Sequence, residues 1–173
     1  MDSRTGEDFQ RLYQDVFPVL MRIAYNITGS TDASEELCQE AFIKYLNRGD
    51  SLPSPDQAKF WLIRVVKNLC FNYEKRKMRE RRAYSRVLNE PARTAETGEL
   101  EYIKKETNEQ VRAALSKLPK KLRDPLVLRE YGDLSYREIG NILHISEGNV
   151  KVRVFRARVQ LENLLDKEAL YVS

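Results

Sequence analysis

Apolar residues return every three or four positions almost throughout this chain, and that spacing constrains its fold more than any other feature. Phe9, Leu12, Tyr13, Val16, Leu20, Ile23, Ala24 and Ile27 form one such series, and Leu37, Cys38, Ala41, Phe42, Tyr45 and Leu46 form the next. The period matches the turn of an α-helix and gathers each series on one face. No stretch alternates as a half-buried strand would, so the expected fold class is all-α.

Local signals divide the helices. Gly29 suits a left-handed C-cap after the first helix, and Asp32 is expected to cap the second. Residues 47–58, with two prolines and a glycine, are expected to form a loop before a third helix running from about Lys59 to Arg82. Residues 83–98 have no clear period and are read as a linker. A further helix runs from near Glu99 until Pro119 stops it. The next covers about 121–131, with Asp124-Pro125 read as a cap and first-turn proline and Gly132 as its C-cap. Ser135 and Glu138 match the capping box, and after His144-Ile145-Ser146 the serine caps a last helix over about 147–166.

Charge is distributed unevenly. Residues 1–58 carry a net −5, 59–82 +7, 83–116 −1 and 117–173 +3, within a chain of +4. An acidic head, a basic block and a mildly basic tail point to different partners for different segments. No run approaches the 18 apolar residues of a membrane span, and the polar N-terminus does not read as a secretory signal, so stable membrane insertion is not expected. Two cysteines and one histidine exclude a disulfide scaffold or a zinc finger by count. There is no glycine-rich phosphate loop and no nucleophile elbow, so no catalytic residue, metal or cofactor is expected, and the chain is not read as an enzyme.

Two helices carry the chemistry. In the third, Leu62, Val65, Val66, Leu69 and Tyr73 share the inward side, and the opposite face presents Arg64, Lys67, Asn68, Phe71 and Lys75, with Phe60 and Trp61 nearby and Arg76 following. Cations interleaved with aromatic rings suit a single-stranded nucleic acid, whose phosphates take the charges and whose bases stack on the rings. The competing reading is that Trp61 and Phe71 pack against the acidic helices. The segment Leu134 to Leu165 has the proportions of a helix-turn-helix. On its last helix Val150, Val154, Ala157, Leu161 and Leu164 align inward, while Asn149, Val152, Phe155, Arg156 and Val159 point outward and Lys151, Arg153 and Arg158 flank them. Such a helix reads base edges from its N-terminal residues and holds phosphates with the flanking cations. A helical hairpin serving protein contact is the alternative there.

Three segments together resemble the extracytoplasmic-function (ECF, group IV) sigma factors of the sigma-70 family. TGSTDASEELCQEAFIKYL is similar to the family stretch that binds core RNA polymerase, FWLIRVVKNLCFNYEKRKMR to the promoter-melting helix, and LPKKLRDPLVLREYGDLSYREIGNILHISEGNVKVRVFRARVQL to the family's helix-turn-helix. Three departures stand out: Gly140 occupies a usual alanine position, Asn149 a usual threonine position and Val152 a usual serine position.

The resemblance implies two small helical domains joined by a flexible linker: region 2 over 1–82, the linker 83–98, and region 4 over 99–173. It implies an alternative sigma factor in the cytoplasm that initiates transcription of a stress or envelope-type regulon. Asp32, Glu35, Glu36, Gln39 and Glu40 would meet core polymerase. Trp61, Arg64, Lys67, Asn68, Phe71, Lys75 and Arg76 would hold the single-stranded minus-ten element. Asn149, Lys151, Val152, Arg153, Phe155 and Arg156 would read the duplex minus-thirty-five element. An anti-sigma partner is also expected. The outward trio Val152, Phe155 and Val159 is its candidate seat, unless those side chains pack against the first domain in a compact monomer. A helix-turn-helix regulator acting without core polymerase is the competing function.

Overall fold

A computed structural model of the chain describes residues 3–48, 54–88 and 99–172. Seven helices are described: α1 (Ser3–Thr28), α2 (Thr31–Leu46), α3 (Pro55–Leu88), α4 (Glu99–Lys117), α5 (Lys120–Glu130), α6 (Tyr136–Leu143) and α7 (Glu147–Val172). No strand occurs among the described residues. Helices α1, α2 and α3 pack on one another as an N-terminal unit, and α4 to α7 form a C-terminal unit in which α7 lies against α4, α5 and α6.

The helix ends follow local chemistry, with several adjustments. Gly29 adopts a φ of +69° and its N–H bonds Tyr25 O at 2.7 Å, the left-handed C-cap expected of it. The cap of α2 is Ser30 and not Asp32: its backbone is extended and its hydroxyl accepts from Ala33 N, leaving Asp32 in the first turn. Helix α3 starts four residues before the expected Lys59. Ser54 accepts from Gln57 N at 3.2 Å, and Pro55 takes the first helical position, where a missing N–H costs nothing. The loop is shorter by that much, and its residues 49–53 lie outside those described. Helix α3 also continues through 83–88 of the expected linker, and 89–98 lie outside the described residues.

In the C-terminal unit α5 begins at Lys120 and runs through Asp124-Pro125, so Asp124 caps nothing. Its C-cap is Tyr131, and the left-handed residue beyond it is Asp133, not Gly132. The capping box of Ser135 and Glu138 is complete, with Glu138 N donating to Ser135 Oγ and Ser135 N donating to Glu138 Oε2. His144 closes α6 in a left-handed conformation, and Ser146 caps α7 by accepting from Asn149 N at 3.2 Å.

The buried residues form one continuous apolar cluster spanning both units. Leu20, Ile23, Phe42, Leu62, Ile63 and Val66 build the N-terminal half; Leu126, Leu128, Ile139, Ile142, Val150 and Val154 build the other. The units meet chiefly where α6 packs on α3. Helix α3 therefore has neighbours on two sides. This explains why Ile63, Lys67 and Cys70 are buried although they fall off the single inward stripe that periodicity assigns, while Val65, Leu69 and Tyr73 are only partly buried.

Candidate nucleic-acid and polymerase interfaces

Helix α2 buries Leu37, Cys38, Ala41 and Phe42 and turns Asp32, Glu35, Glu36, Gln39 and Glu40 outward. At about 100° per residue these five span an arc of about 140°. Glu40 makes an i,i+4 pair with Lys44 at 3.6 Å, half-exposed on both sides. Exposed pairs of this kind contribute about 0.3–0.5 kcal/mol, so the carboxylates are free to pair with an incoming basic surface.

The basic face of α3 is not the open surface that its periodicity implies. Lys67 is 2% exposed, and its ammonium donates to Asp124 Oδ2 on α5 at 2.5 Å. Burial favours the neutral amine and pushes its pKa down, while the Asp124 carboxylate opposes that push. The other oxygen of Asp124 lies 3.4 Å from Arg123 Nε. That guanidinium sits 3.6 Å from the centroid of the Phe71 ring. Arg64 is half-buried, with Nε donating to Ile142 O near the end of α6 at 2.9 Å, and burial lowers its pKa. Asn68 is partly buried, whereas Lys75 and Arg76 are exposed.

The two rings in question have separate fates. Trp61 packs against α2, 5.9 Å from the Tyr45 ring, with the Arg48 guanidinium 4.8 Å from its own centroid. Phe71 packs instead on the C-terminal unit, through Arg123. The sequence does not reveal this role of Asp124, because a carboxylate before proline gives the same local signal whether it caps a helix or reaches across to another unit.

Helix α7 follows its expected orientation. Val150, Val154 and Ala157 are buried, while Leu161 and Leu164 are only partly so. Val152, Phe155 and Val159 are 47%, 68% and 43% exposed, so this trio does not pack against the N-terminal unit. Asn149, Lys151 and Arg156 are exposed and Arg153 partly so. Asn149 Oδ1 accepts from Arg153 Nε at 2.9 Å, which orients the amide one turn ahead of the guanidinium. Lys151 lies 3.7 Å from Glu147 in an exposed pair that a phosphate would displace at little cost. No cluster of three metal-ligating side chains occurs among the described residues, and none of the described helices is long and apolar enough to cross a membrane.

Comparisons with known proteins divide the chain at the same place. The family model Sigma-70 region 2 matches residues 12–80, and Sigma-70 region 4 matches 108–161. The ECF RNA polymerase sigma factor EcfG of Rhodopseudomonas palustris (strain TIE-1) is 32% identical over 152 residues, covering 86% of this chain and 80% of that protein. Among solved structures, CnrH in complex with the cytosolic domain of CnrY superposes with a TM-score of 0.62 at 22% identity, covering 92% of this chain and 88% of that one. The sigma factor RpoE of Bartonella quintana, in complex with the anti-sigma factor NepR, gives 0.51 at 23% identity, covering 92% and 98%. These two likenesses concern the fold.

Proposed function

The chain belongs to the ECF RNA polymerase sigma factors, and from that premise we propose how its own residues divide the work of initiating transcription. Region 2 covers 1–82, region 4 covers 99–173, and 83–98 connect them. The exposed carboxylates of α2, Asp32, Glu35, Glu36 and Glu40, together with Gln39, dock on a basic surface of core polymerase. The α3 face captures the unpaired minus-ten strand: Arg64, Lys67, Lys75 and Arg76 hold phosphates, Phe71 and Trp61 stack bases, and Asn68 hydrogen-bonds a flipped base. The N-terminal half of α7 enters the major groove of the minus-thirty-five duplex. There Asn149, Val152, Phe155 and Arg156 meet base edges, and Lys151 and Arg153 meet phosphates.

The observation that carries this reading is the form of α7. Its inward residues Val150, Val154 and Ala157 are sealed into the core, its N-terminus is capped by Ser146, and its outward apolar side chains and most of its outward cations stand in solvent. A helix held so firmly on one side and so open on the other is built to be read against a groove. Partnership with polymerase places the protein in the cytoplasm and gives it a regulatory rather than catalytic role. The complex of RpoE with the anti-sigma factor NepR supports an anti-sigma partner for this chain as well.

Run-off transcription with purified core polymerase on a promoter library tests the proposal. Discrete transcripts that depend on this chain are the expected result. Specific duplex binding without core, and no transcripts with it, would make the chain a polymerase-independent regulator instead.

A further inference from the structure

Where the end of α1 meets the second half of α3 and the middle of α4, the surface encloses a cavity of about 620 Å³. Small-molecule sites span about 300–1,000 Å³. Glu74, Lys77, Met78 and Arg81 line it from α3 at positions i, i+3, i+4 and i+7, and so share one face of that helix. Helix α4 contributes Arg112, and the last turn of α1 contributes Tyr25.

The polar groups of this cavity are left unsatisfied by the chain itself. Glu74 Oε1 is buried yet accepts no hydrogen bond from any described residue. Buried polar atoms are nearly always partnered, so an exception calls for an explanation. Burial pushes the Glu74 pKa up, and the nearby charges of Lys77, Arg81 and Arg112 oppose that push. These three cations in turn make no ion pair among the described residues. Lys77 Nζ lies 5.8 Å from the Tyr73 ring centroid, a contact that leaves its N–H donors open. Arg112 is held in place from behind. Its Nε donates to Asn26 O at 3.4 Å, and its guanidinium carbon lies 2.6 Å from the point that a Cβ on Gly29 would occupy. Glycine at 29 is what lets the guanidinium lie there.

The complement of such a wall carries N–H donors at one end and anionic oxygens at the other. Glu74 and Arg81 are seven residues apart on α3, about 10.5 Å along the helix axis. A nucleotide sets a comparable separation between the pairing edge of its base and its 5′ phosphates. The carboxylate also selects among bases, because an ionised carboxylate only accepts, and at two oxygens side by side. Guanine presents N1–H and its 2-amino group as adjacent donors, and so meets both oxygens at once. On the same edge adenine and cytosine set an acceptor beside their donor, and uracil sets its N–H between two carbonyls. Each of those would bring an acceptor against the carboxylate. Tyr25 and Met78 offer apolar surface to the base, and the guanidinium groups suit bidentate contact with phosphate.

We propose that this cavity is a binding site for a guanine nucleotide, with Glu74 receiving the base and Lys77, Arg81 and Arg112 receiving the phosphates. None of these four side chains belongs to the faces assigned above to DNA or polymerase, so the site stands or falls apart from the promoter reading. A nucleotide there touches α3 and α4 together.

Calorimetric titration of the full chain, without magnesium, compares GDP with ADP, guanosine and inorganic diphosphate. GDP should bind at one site and more tightly than any of the others, with ADP weaker by about tenfold or more, as expected where a charged hydrogen-bonding group loses its partner. Saturating GDP should also raise Tm, since a ligand that binds only the folded chain stabilises it. Glu74→Gln keeps the shape of the side chain but replaces one acceptor with a donor, and should bring GDP and ADP to within about twofold of each other. Arg81→Ala changes an exposed position that the fold tolerates. It should weaken GDP and ADP alike and preserve their ratio, and it keeps the site testable even if Glu74→Gln does not fold. Absence of GDP binding at about 1 mM overturns the site. So does equal affinity for GDP and ADP in the unaltered chain, a guanine preference that survives in folded Glu74→Gln, or an unchanged GDP affinity in Arg81→Ala. Diphosphate binding as tight as GDP would mean that the basic faces simply take up phosphate, and overturns it as well.

Discussion

Two helices of this molecule are assigned to DNA in the proposed function, and the structure treats them oppositely. Helix α7 keeps Phe155 68% exposed and Arg156 in solvent, while α3 keeps Lys67 2% exposed and Phe71 beneath a guanidinium. Both were read from sequence as outward faces. On that proposal the contrast has a reason in what each face would recognise. Duplex DNA offers its major groove without rearrangement, so a groove reader can stay open. An unpaired strand exists only after melting, and a strongly basic, aromatic face left open would bind nucleic acid indiscriminately through phosphates and stacking. On the proposed assignment, the exposed α7 would be a ready duplex reader, while the α3 face is covered by the C-terminal unit.

The sharpest way to break this contrast is to impair strand capture alone. Extruding a base costs a few kcal/mol that a pocket must return. Asn68→Ala should spare the closed promoter complex and slow opening by on the order of a hundredfold, about 3 kcal/mol. Permanganate reactivity of unpaired thymines reads this directly, and a premelted bubble template should rescue it. Normal opening of duplex promoters by the variant would remove Asn68 from the account.

On the duplex side the expected losses are smaller and of two kinds. Phe155→Ala and Arg156→Ala should change preference at particular minus-thirty-five bases, by about 1–3 kcal/mol per lost contact. Lys151→Ala should weaken binding about equally across sequences and flatten the salt dependence. Competition binding over a set of minus-thirty-five variants separates the two. An unchanged ranking of promoters with all three substitutions would move the reading surface elsewhere on α7.

The difference between the helices also marks where sequence reasoning stops. The left-handed Gly29, the capping box of Ser135 and Glu138, the Ser146 cap and the buried Val150, Val154 and Ala157 all depend on neighbours within a turn or two. They are legible for that reason. Periodicity identifies the face of α3 opposite its core stripe, but it carries no information about a second unit laid over that face. Lys67 meets a carboxylate 57 positions away, and no local pattern records such a partner. Asp124 was misread for the complementary reason. Ser30 takes the cap in place of Asp32 because two polar residues two positions apart compete for one N-terminus, and backbone conformation decides between them. The exposed set on α2 was legible because a solvated acidic face and a polymerase-docking face look alike, and its geometry is the same under both.

A third prediction concerns α2, whose acidic face stands in solvent. Reversing charge with Glu36→Lys and Glu40→Lys should weaken binding to core polymerase by about 1–2 kcal/mol at low salt, since exposed pairs contribute about 0.2–1 kcal/mol each and reversal adds repulsion. The loss should shrink as salt rises toward a Debye length of about 3 Å at 1 M. Circular dichroism and melting should be unchanged, because both side chains lie outside the core. Equal affinity at low salt would take the polymerase contact off this face.

The smallest effect tests the place where the two DNA-facing helices share a support. Helix α6 offers Ile142 O to Arg64 on α3 and leads through a tight turn into α7. Gly140 lies in its buried side, and its carbonyl accepts from Ile145 N at 3.0 Å. An added Cβ would stand 2.7 Å from Ile145 O, a backbone atom that cannot rotate away. Alanine is the better helix former by up to about 1 kcal/mol, so on propensity alone Gly140→Ala should stabilise α6. The close approach opposes this, and because the obstructing atom belongs to the turn, relief requires shifting His144-Ile145-Ser146 and with it the start of α7. The expected net result is a loss of about 1 kcal/mol, a fall in Tm of about 2–4 °C for a chain of this size. Calorimetry checks the sign, and minus-thirty-five binding should weaken alongside it because Asn149 moves with the turn. A rise in Tm with unaltered duplex binding would show that the turn yields freely and that glycine at this position does not set the placement of α7.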